Sequence, residues 1–122
     1  MAKTIMIIDD SASLRQVVGI ALAAAGYEVV EACDGQDALA QLTGRKFHLM
    51  ICDVNMPNMD GISFLKALRE LPGYKFTPVI MLTTEAGEDK KREGQAAGAR
   101  AWVIKPFKPE QLLLAVSKLI LP

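Results

Sequence analysis

Five short, unbroken apolar runs punctuate the chain at about 4–8, 28–32, 47–52, 78–82 and 101–104. They are rich in Ile, Val, Leu and Met and lack in-out alternation, the pattern of parallel strands covered on both faces. Amphipathic stretches fill the gaps between them. Leu14, Val17, Val18, Ala21 and Leu22 recur on one helical face, as do Leu112, Val116, Leu119 and Ile120. Leu65, Leu68 and Leu71 trace a shorter stripe. Gly26, Gly44, Gly73 and Gly98 each follow an apolar period, where a left-handed cap would turn the chain back toward the next strand. Asp34 and either Ser11 or Ser13 are the expected N-caps.

Five strand–helix units with short connections predict an α/β domain, a parallel sheet with helices on both faces. Right-handed crossovers leave few topologies. The strand order 2-1-3-4-5 of flavodoxin-like sheets fits best. The second run, with Glu28 and Glu31 bracketing Val29 and Val30, is the weakest and belongs at an edge. The 122 residues suffice for a single domain, 1–122, with a core that needs no disulfide or metal staple.

Composition narrows the function. Fourteen basic and 14 acidic residues leave no net charge, so there is no general pull toward nucleic acid or an anionic membrane. No run approaches the roughly 18 apolar residues of a membrane span. Met1-Ala2-Lys3-Thr4 leads directly into a strand, from which we expect no secretory signal and a cytoplasmic location. Cys33 and Cys52 are too few for a disulfide framework, and Cys52 within a strand reads as a buried reduced thiol. His48, the one histidine, opens the third strand and reads as a surface residue, not a phosphodonor. Phe47, Phe64 and Phe107 read as packing residues, as do Met56 and Met59.

The chemistry is concentrated at the strand ends. The first run closes in Asp9 and Asp10, the third in Asp53, the fourth in Thr83 and the fifth in Lys105. Any one of these has an ordinary structural reading, as a cap, a turn residue or solvated surface. Together they converge, because ligands of such sheets sit beyond the carboxyl ends of the strands where the strand order reverses. Here that point lies between strands one and three. Crowded carboxylates raise one another's pKa values unless a cation intervenes. An all-oxygen, partly open site favours magnesium. Asp53 is a nucleophile already ionised at neutral pH, and carboxylates form aspartyl-phosphates. Lys105 and the Thr83 hydroxyl would hold phosphoryl oxygens. The fourth helix, about 86–97, has little apolar stripe and contains Gly87 and Gly94, so it should be marginal.

Four segments, Ile-Ile-Asp-Asp-Ser, Cys-Asp-Val-Asn-Met-Pro-Asn-Met-Asp-Gly, Leu-Thr-Thr-Glu-Ala and Ala-Gly-Ala-Arg-Ala-Trp-Val-Ile-Lys-Pro-Phe, carry a resemblance over essentially the whole chain. The sequence resembles the receiver domains of two-component response regulators, and within them the single-domain, CheY-like chemotaxis regulators. The resemblance implies a signalling switch, not a metabolic enzyme, phosphorylated on Asp53 by a histidine kinase of the chemotaxis type. It implies magnesium held by Asp10, Asp53 and the Asn55 carbonyl, with Asp9 acting through water. Thr83 and Trp102 match the switch hydroxyl and switch aromatic, and Lys105 the site lysine, whose bond to Pro106 is often cis in the family. Asn55 and Glu85 match positions that tune dephosphorylation, and Lys91 belongs to the output face.

Departures concern the partner. The switch aromatic is Trp102 where Tyr or Phe is more usual, the face of the fourth helix carries Lys90, Lys91 and Arg92 and is more basic than in the best-known motor binders, and Ala115 stands where such binders tend to have a basic residue. The expected output is therefore protein contact by a monomer, with a flagellar motor switch, a phosphate-sink role or onward relay as alternatives. Three other readings compete. A flavodoxin-type FMN carrier needs a phosphate loop where Asp9-Asp10 stands. A haloacid-dehalogenase-type hydrolase places its nucleophile in an Asp-x-Asp pattern after the first strand. A degenerate receiver acting only as a scaffold would not keep the full Asp, Asp, Thr, Lys set.

Overall fold

The computed structural model describes residues 2–122. Five parallel strands, β1 (Thr4–Ile8), β2 (Glu28–Ala32), β3 (Leu49–Cys52), β4 (Val79–Thr83) and β5 (Ala101–Ile104), form one sheet in the order β2-β1-β3-β4-β5. Between and after them run α1 (Ala12–Ala24), α2 (Gly35–Ala40), α3 (Gly61–Arg69), α4 (Glu88–Ala96) and α5 (Pro109–Leu119). The α/β architecture and its strand order are those the apolar runs predict.

Alternation along each strand splits the core. From β1, Met6 and Ile8 join Met50, Cys52, Phe64 and Leu65 on the face covered by α2 and α3. Ile5 and Ile7 join Val18, Leu22, Leu112 and Val116 on the face covered by α1 and α5. Every residue of β1, β3 and β4 is buried, which is why these strands read as continuous apolar runs. Burying each large aliphatic side chain stabilises the fold by about 1.5–3 kcal/mol relative to leaving it in water. At the β2 edge Glu28 and Glu31 face solvent.

Helix starts follow their caps. Ser11 Oγ accepts from the Leu14 N–H at 3.3 Å, Asp34 Oδ1 from the Asp37 N–H at 2.8 Å and Asp60 Oδ1 from the Ser63 N–H at 2.8 Å. The helix α4 has no side-chain cap and buries only Gly94.

Several boundaries differ from expectation. The third strand begins at Leu49, not 47: Phe47 leaves the sheet to pack near Tyr74, with ring centres 6.5 Å apart. Thr83 is the last residue of β4, not the residue after it. The fourth helix is shorter than 86–97 at both ends. Gly26, Gly44 and Gly98 have positive φ, but Gly73 lies in a short 3-10 turn, Pro72–Tyr74, and does not cap α3. His48 is more than a surface residue. Its Nδ1 accepts from the Thr4 N–H at 3.0 Å, joining β1 to the entry of β3 at the strand ends remote from Asp53, and burial holds its pKa below the usual value.

Candidate functional site

Backbone hydrogen bonds set the site before any side chain acts. The Asp53 N–H donates to the Ile8 carbonyl at 3.0 Å, placing the end of β3 beside Asp9 at the end of β1. The Lys105 N–H donates to the Thr83 carbonyl at 2.8 Å, which joins the ends of β5 and β4 in the same way. Lys105 then reaches across the sheet, its ammonium donating to Asp9 Oδ2 at 3.0 Å and Asp53 Oδ2 at 3.1 Å. The Lys105–Pro106 peptide is cis.

Each carboxylate has a distinct setting. Asp9 is 2 % exposed, and its Oδ1 accepts from the Ser11 N–H at 2.8 Å. The Arg15 guanidinium holds the Asp9 carbonyl at 2.6 Å. Burial pushes the Asp9 carboxyl pKa up, against the Ser11 N–H and Lys105, which pull it down. Asp53 is 8 % exposed, with Oδ1 accepting from the Val54 N–H at 2.6 Å. Asp10 is exposed. Burial works against the Lys105 ammonium, but the two carboxylates outweigh it and hold its pKa above the ordinary lysine value.

One oxygen from each of Asp9, Asp10 and Asp53 lies within 4.8 Å of the others. Lys105 bridges Asp9 and Asp53, and Asp10 forms no ion pair among the described residues, so a carboxylate of the cluster is left without a cation. The donors are all oxygen, and Asp10 keeps one side open to solvent. That set fits a hard divalent cation.

The remaining predicted residues divide into two groups. Asn55 is exposed, two residues beyond Asp53, with its N–H 3.4 Å from Asp53 Oδ1. Thr83, fully buried, accepts the Glu85 N–H on its hydroxyl at 3.1 Å. The Glu85 carbonyl accepts the Trp102 indole N–H at 2.9 Å. A single residue thus joins hydroxyl to indole. The Glu85 carboxylate accepts from the Gly87 N–H at 3.2 Å, at the start of α4. The indole is half-buried and already seated against α4, where a Cβ at Gly94 would come within 2.6 Å of the ring. Lys91 is half-buried on α4, away from the carboxylates.

Two contributors escaped the sequence reading. Arg15 acts on the Asp9 backbone, and no sequence spacing announces it. Gly61, whose N–H closes the loop onto the Val54 carbonyl at 2.8 Å, lies so close that a Cβ would overlap the Asp53 carbonyl oxygen. Its signal was the Asp60-Gly61 step, an N-cap followed by a residue without a side chain.

The same fold recurs in known proteins. The chemotaxis response regulator CheY4 of Vibrio cholerae superposes with a TM-score of 0.92 at 48 % identity, covering 98 % of this chain and 99 % of that one. A response regulator structure from Chloroflexus aurantiacus gives 0.91 at 34 % identity, covering 98 % of both chains. Among curated relatives, the phosphate regulon transcriptional regulatory protein PhoB of Pseudomonas aeruginosa is 38 % identical over 113 residues, 93 % of this chain and 49 % of its own length. The transcriptional regulatory protein SrrA of Staphylococcus aureus is 34 % identical over 120 residues, 98 % of this chain and 48 % of its own. The chain therefore spans about half the length of these curated relatives. With the response regulator receiver domain matched across residues 5–117, and its acidic strand ends bridged by one lysine, the chain belongs to the receiver-domain family of two-component signalling switches.

Proposed function

We propose that Asp53 accepts a phosphoryl group from the phosphohistidine of a histidine kinase and that the domain then changes its protein contacts. The observation that carries this reading is the Lys105 ammonium 3.1 Å from Asp53 Oδ2, beside two further carboxylates. A carboxylate oxygen of Asp53 attacks phosphorus. The P–N bond of the donor breaks, and its electron pair returns to the imidazole, which takes up a proton. Lys105 is positioned to leave the carboxylate for a phosphoryl oxygen. The Thr83 hydroxyl turns from the Glu85 N–H to another. Positioning and charge neutralisation make up most of what such a transfer requires. Asp10, Asp53 and the Asn55 carbonyl would hold magnesium, with Asp9 acting through water, and the ion would neutralise charge on the transferring group. Asn55 and Glu85 flank the route of the hydrolytic water and set the lifetime of the phosphoryl group.

The partner reading favours chemotaxis. The 48 % identity to CheY4 extends over 99 % of that chain, whereas the transcriptional relatives match over half their length. On this reading the domain acts as a cytoplasmic monomer that binds a flagellar motor switch or a similar protein through α4, β5 and α5. No helix among the described residues is long and apolar enough to cross a membrane. Phosphate sink and relay are the second reading, supported by Ala115 and the basic Lys90, Lys91 and Arg92 on the output side.

The test is intact mass after incubation with acetyl phosphate and magnesium. The wild type should gain one phosphoryl group and Asp53→Asn none. A full adduct on Asp53→Asn would overturn the assignment. Phosphotransfer profiling against the host's histidine kinases, followed by capture with the phosphorylated form, separates the partner readings.

A further inference from the structure

Zero net charge conceals a separation of charge. Acidic side chains crowd the carboxyl ends of the strands, while Lys3, Lys46, Lys75 and Arg100 lie in the segments leading into β1, β3, β4 and β5. At the basic end a cavity of about 230 Å³ opens between the entries to β4 and β5, lined by Arg69, Lys75, Phe76, Gly98 and Arg100.

Arg69, from the last turn of α3, is fixed in its wall. Its Nη1 donates to the carbonyls of Tyr74 at 3.1 Å and Thr77 at 2.7 Å, and its Nη2 to that of Gly98 at 3.0 Å. A guanidinium has five N–H donors. The Nε–H and one Nη2 hydrogen are therefore left without an acceptor among the described residues. Gly98 permits the seat: its φ is +106°, and a Cβ there would come within 2.8 Å of Arg69 Nε.

None of Arg69, Lys75 and Arg100 forms an ion pair with the described residues, and the nearby Glu70 does not reach them. Burial first, and then the nearby Arg100 guanidinium, push the Arg69 pKa down; Lys75 and Arg100 are exposed at the rim. Beside them Phe76 is 80 % exposed, with the Lys75 ammonium 5.8 Å from its ring centre. A free anion would neutralise the cations but leave the ring in water. Lys3 and Lys46 lie along the same end, but only Arg69, Lys75 and Arg100 line the concavity, which suits a projecting segment better than a flat anionic membrane. Arginine and aromatic side chains grouped in a pocket are the composition of an interface anchor.

We propose that this pocket docks an acidic segment of a protein partner, with carboxylates on Arg69 and Arg100 and an apolar side chain laid over Phe76. It lies at the end of the sheet remote from Asp53, so docking is independent of phosphorylation and of the function proposed above. A partner could remain tethered here while the opposite end switches.

The probe is a synthetic peptide, Glu-Asp-Leu-Phe-Glu-Asp, titrated into labelled protein and followed by amide chemical shifts. Shifts should cluster at 69–77 and 98–100, weaken as salt rises from about 0.05 to 0.5 M, and be the same for Asp53→Asn. The exposed double substitution Lys75→Glu with Arg100→Glu should weaken binding about tenfold or more. Phe76→Ser should weaken it without changing its salt dependence. Unchanged circular dichroism and acetyl phosphate labelling would show that both variants remain folded. No shifts, equal binding by the double variant, or shifts centred on Lys90, Lys91 and Arg92 would each overturn the proposal. So would equal shifts from inorganic phosphate or phosphatidylglycerol vesicles that the peptide fails to displace.

Discussion

The ends of β1 and β3 and the β5–α4 face meet the same switch chemistry with opposite mechanical character. At the first, Asp53 is tied to β1 by its own N–H, the following loop is closed by Gly61, and the neighbouring turn is tied in by Asn58, whose amide donates to Asp34 Oδ2 at 2.8 Å. At the second, Ala101, Trp102 and Val103 are only partly buried, Ile104 is 41 % exposed, and α4 contributes one buried residue, a glycine. Backbone holds the acidic end; a side chain leaning on a weak helix holds the other. A phosphoryl group added at the rigid end would therefore find its response at the soft end, since local opening concentrates where few apolar contacts resist it.

Glycine gives the strongest way to break this contrast. Both ends contain one with no room for a Cβ, but the obstacles differ. At Gly61 the Cβ would overlap the Asp53 carbonyl and also approach the Met81 methyl at 3.0 Å. The carbonyl belongs to a strand end paired on the β1 side and cannot yield. Gly61→Ala should cost about 3 kcal/mol, the upper range for overpacking, and abolish labelling by acetyl phosphate. Urea denaturation measures the first and intact mass the second. A loss under about 1 kcal/mol would mean that the acidic end is not rigid.

Thr83→Ala comes next, since it cuts the link between the two ends. Removing the hydroxyl leaves the Glu85 N–H without its 3.1 Å acceptor. Glu85 is only half-buried, so water can replace the lost partner, and the cost should be about 1 kcal/mol. Labelling of Asp53 should survive. The change in Trp102 emission on adding a beryllofluoride mimic should shrink, because the hydroxyl no longer couples to the indole through Glu85. A full-sized emission change would place the coupling elsewhere.

The sequence was most informative where chemistry and periodicity coincide. Continuous apolar runs made the strands legible because both sheet faces are covered, and polar residues closing those runs marked Asp9, Asp10, Asp53, Thr83 and Lys105. Phe47 extends the third apolar run although β3 begins at Leu49, because an apolar residue reads alike whether it lies in a strand or packs beside one. Gly73 read as a helix cap because a 3-10 turn also uses glycine. The seat of Trp102 against Gly94, the fit of Gly61 under Asp53 and the reach of Arg15 to the Asp9 carbonyl could not be read. Each depends on a close approach between side chains and backbone that no local pattern encodes.

Acid should separate the two ends by a smaller margin. The Asp37 N–H and the Asn58 amide hold the Asp34 carboxyl below its usual pKa of 3.8. A carboxyl depressed in the folded state stabilises the fold above its unfolded pKa, and that contribution disappears as pH falls through the folded value. Asn58 has φ +68°, so Asn58→Gly removes the donor without straining the backbone. The onset of acid unfolding, followed by circular dichroism, should move to higher pH. An unchanged onset would show that the Asn58 tie contributes nothing to the acidic end.

The smallest expected effect on stability is the most diagnostic. Gly94→Ala puts a Cβ within 2.6 Å of the Trp102 ring, so here too something must shift. Here the obstacle is a side chain on a half-exposed strand, beside a helix with no side-chain cap. The ring can swing outward, and alanine is the better helix former by up to about 1 kcal/mol. That gain opposes the lost indole packing and the lost 2.9 Å bond to the Glu85 carbonyl. Net stability should therefore change by less than about 1 kcal/mol, while Trp102 emission shifts to the red as the indole meets water. Because the ring begins outward in this variant, the beryllofluoride response should be blunted even though Asp53 and Thr83 are intact. If Gly94→Ala instead costs as much as Gly61→Ala, the β5–α4 face is as rigid as the carboxylate end, and the switch must operate without moving the indole.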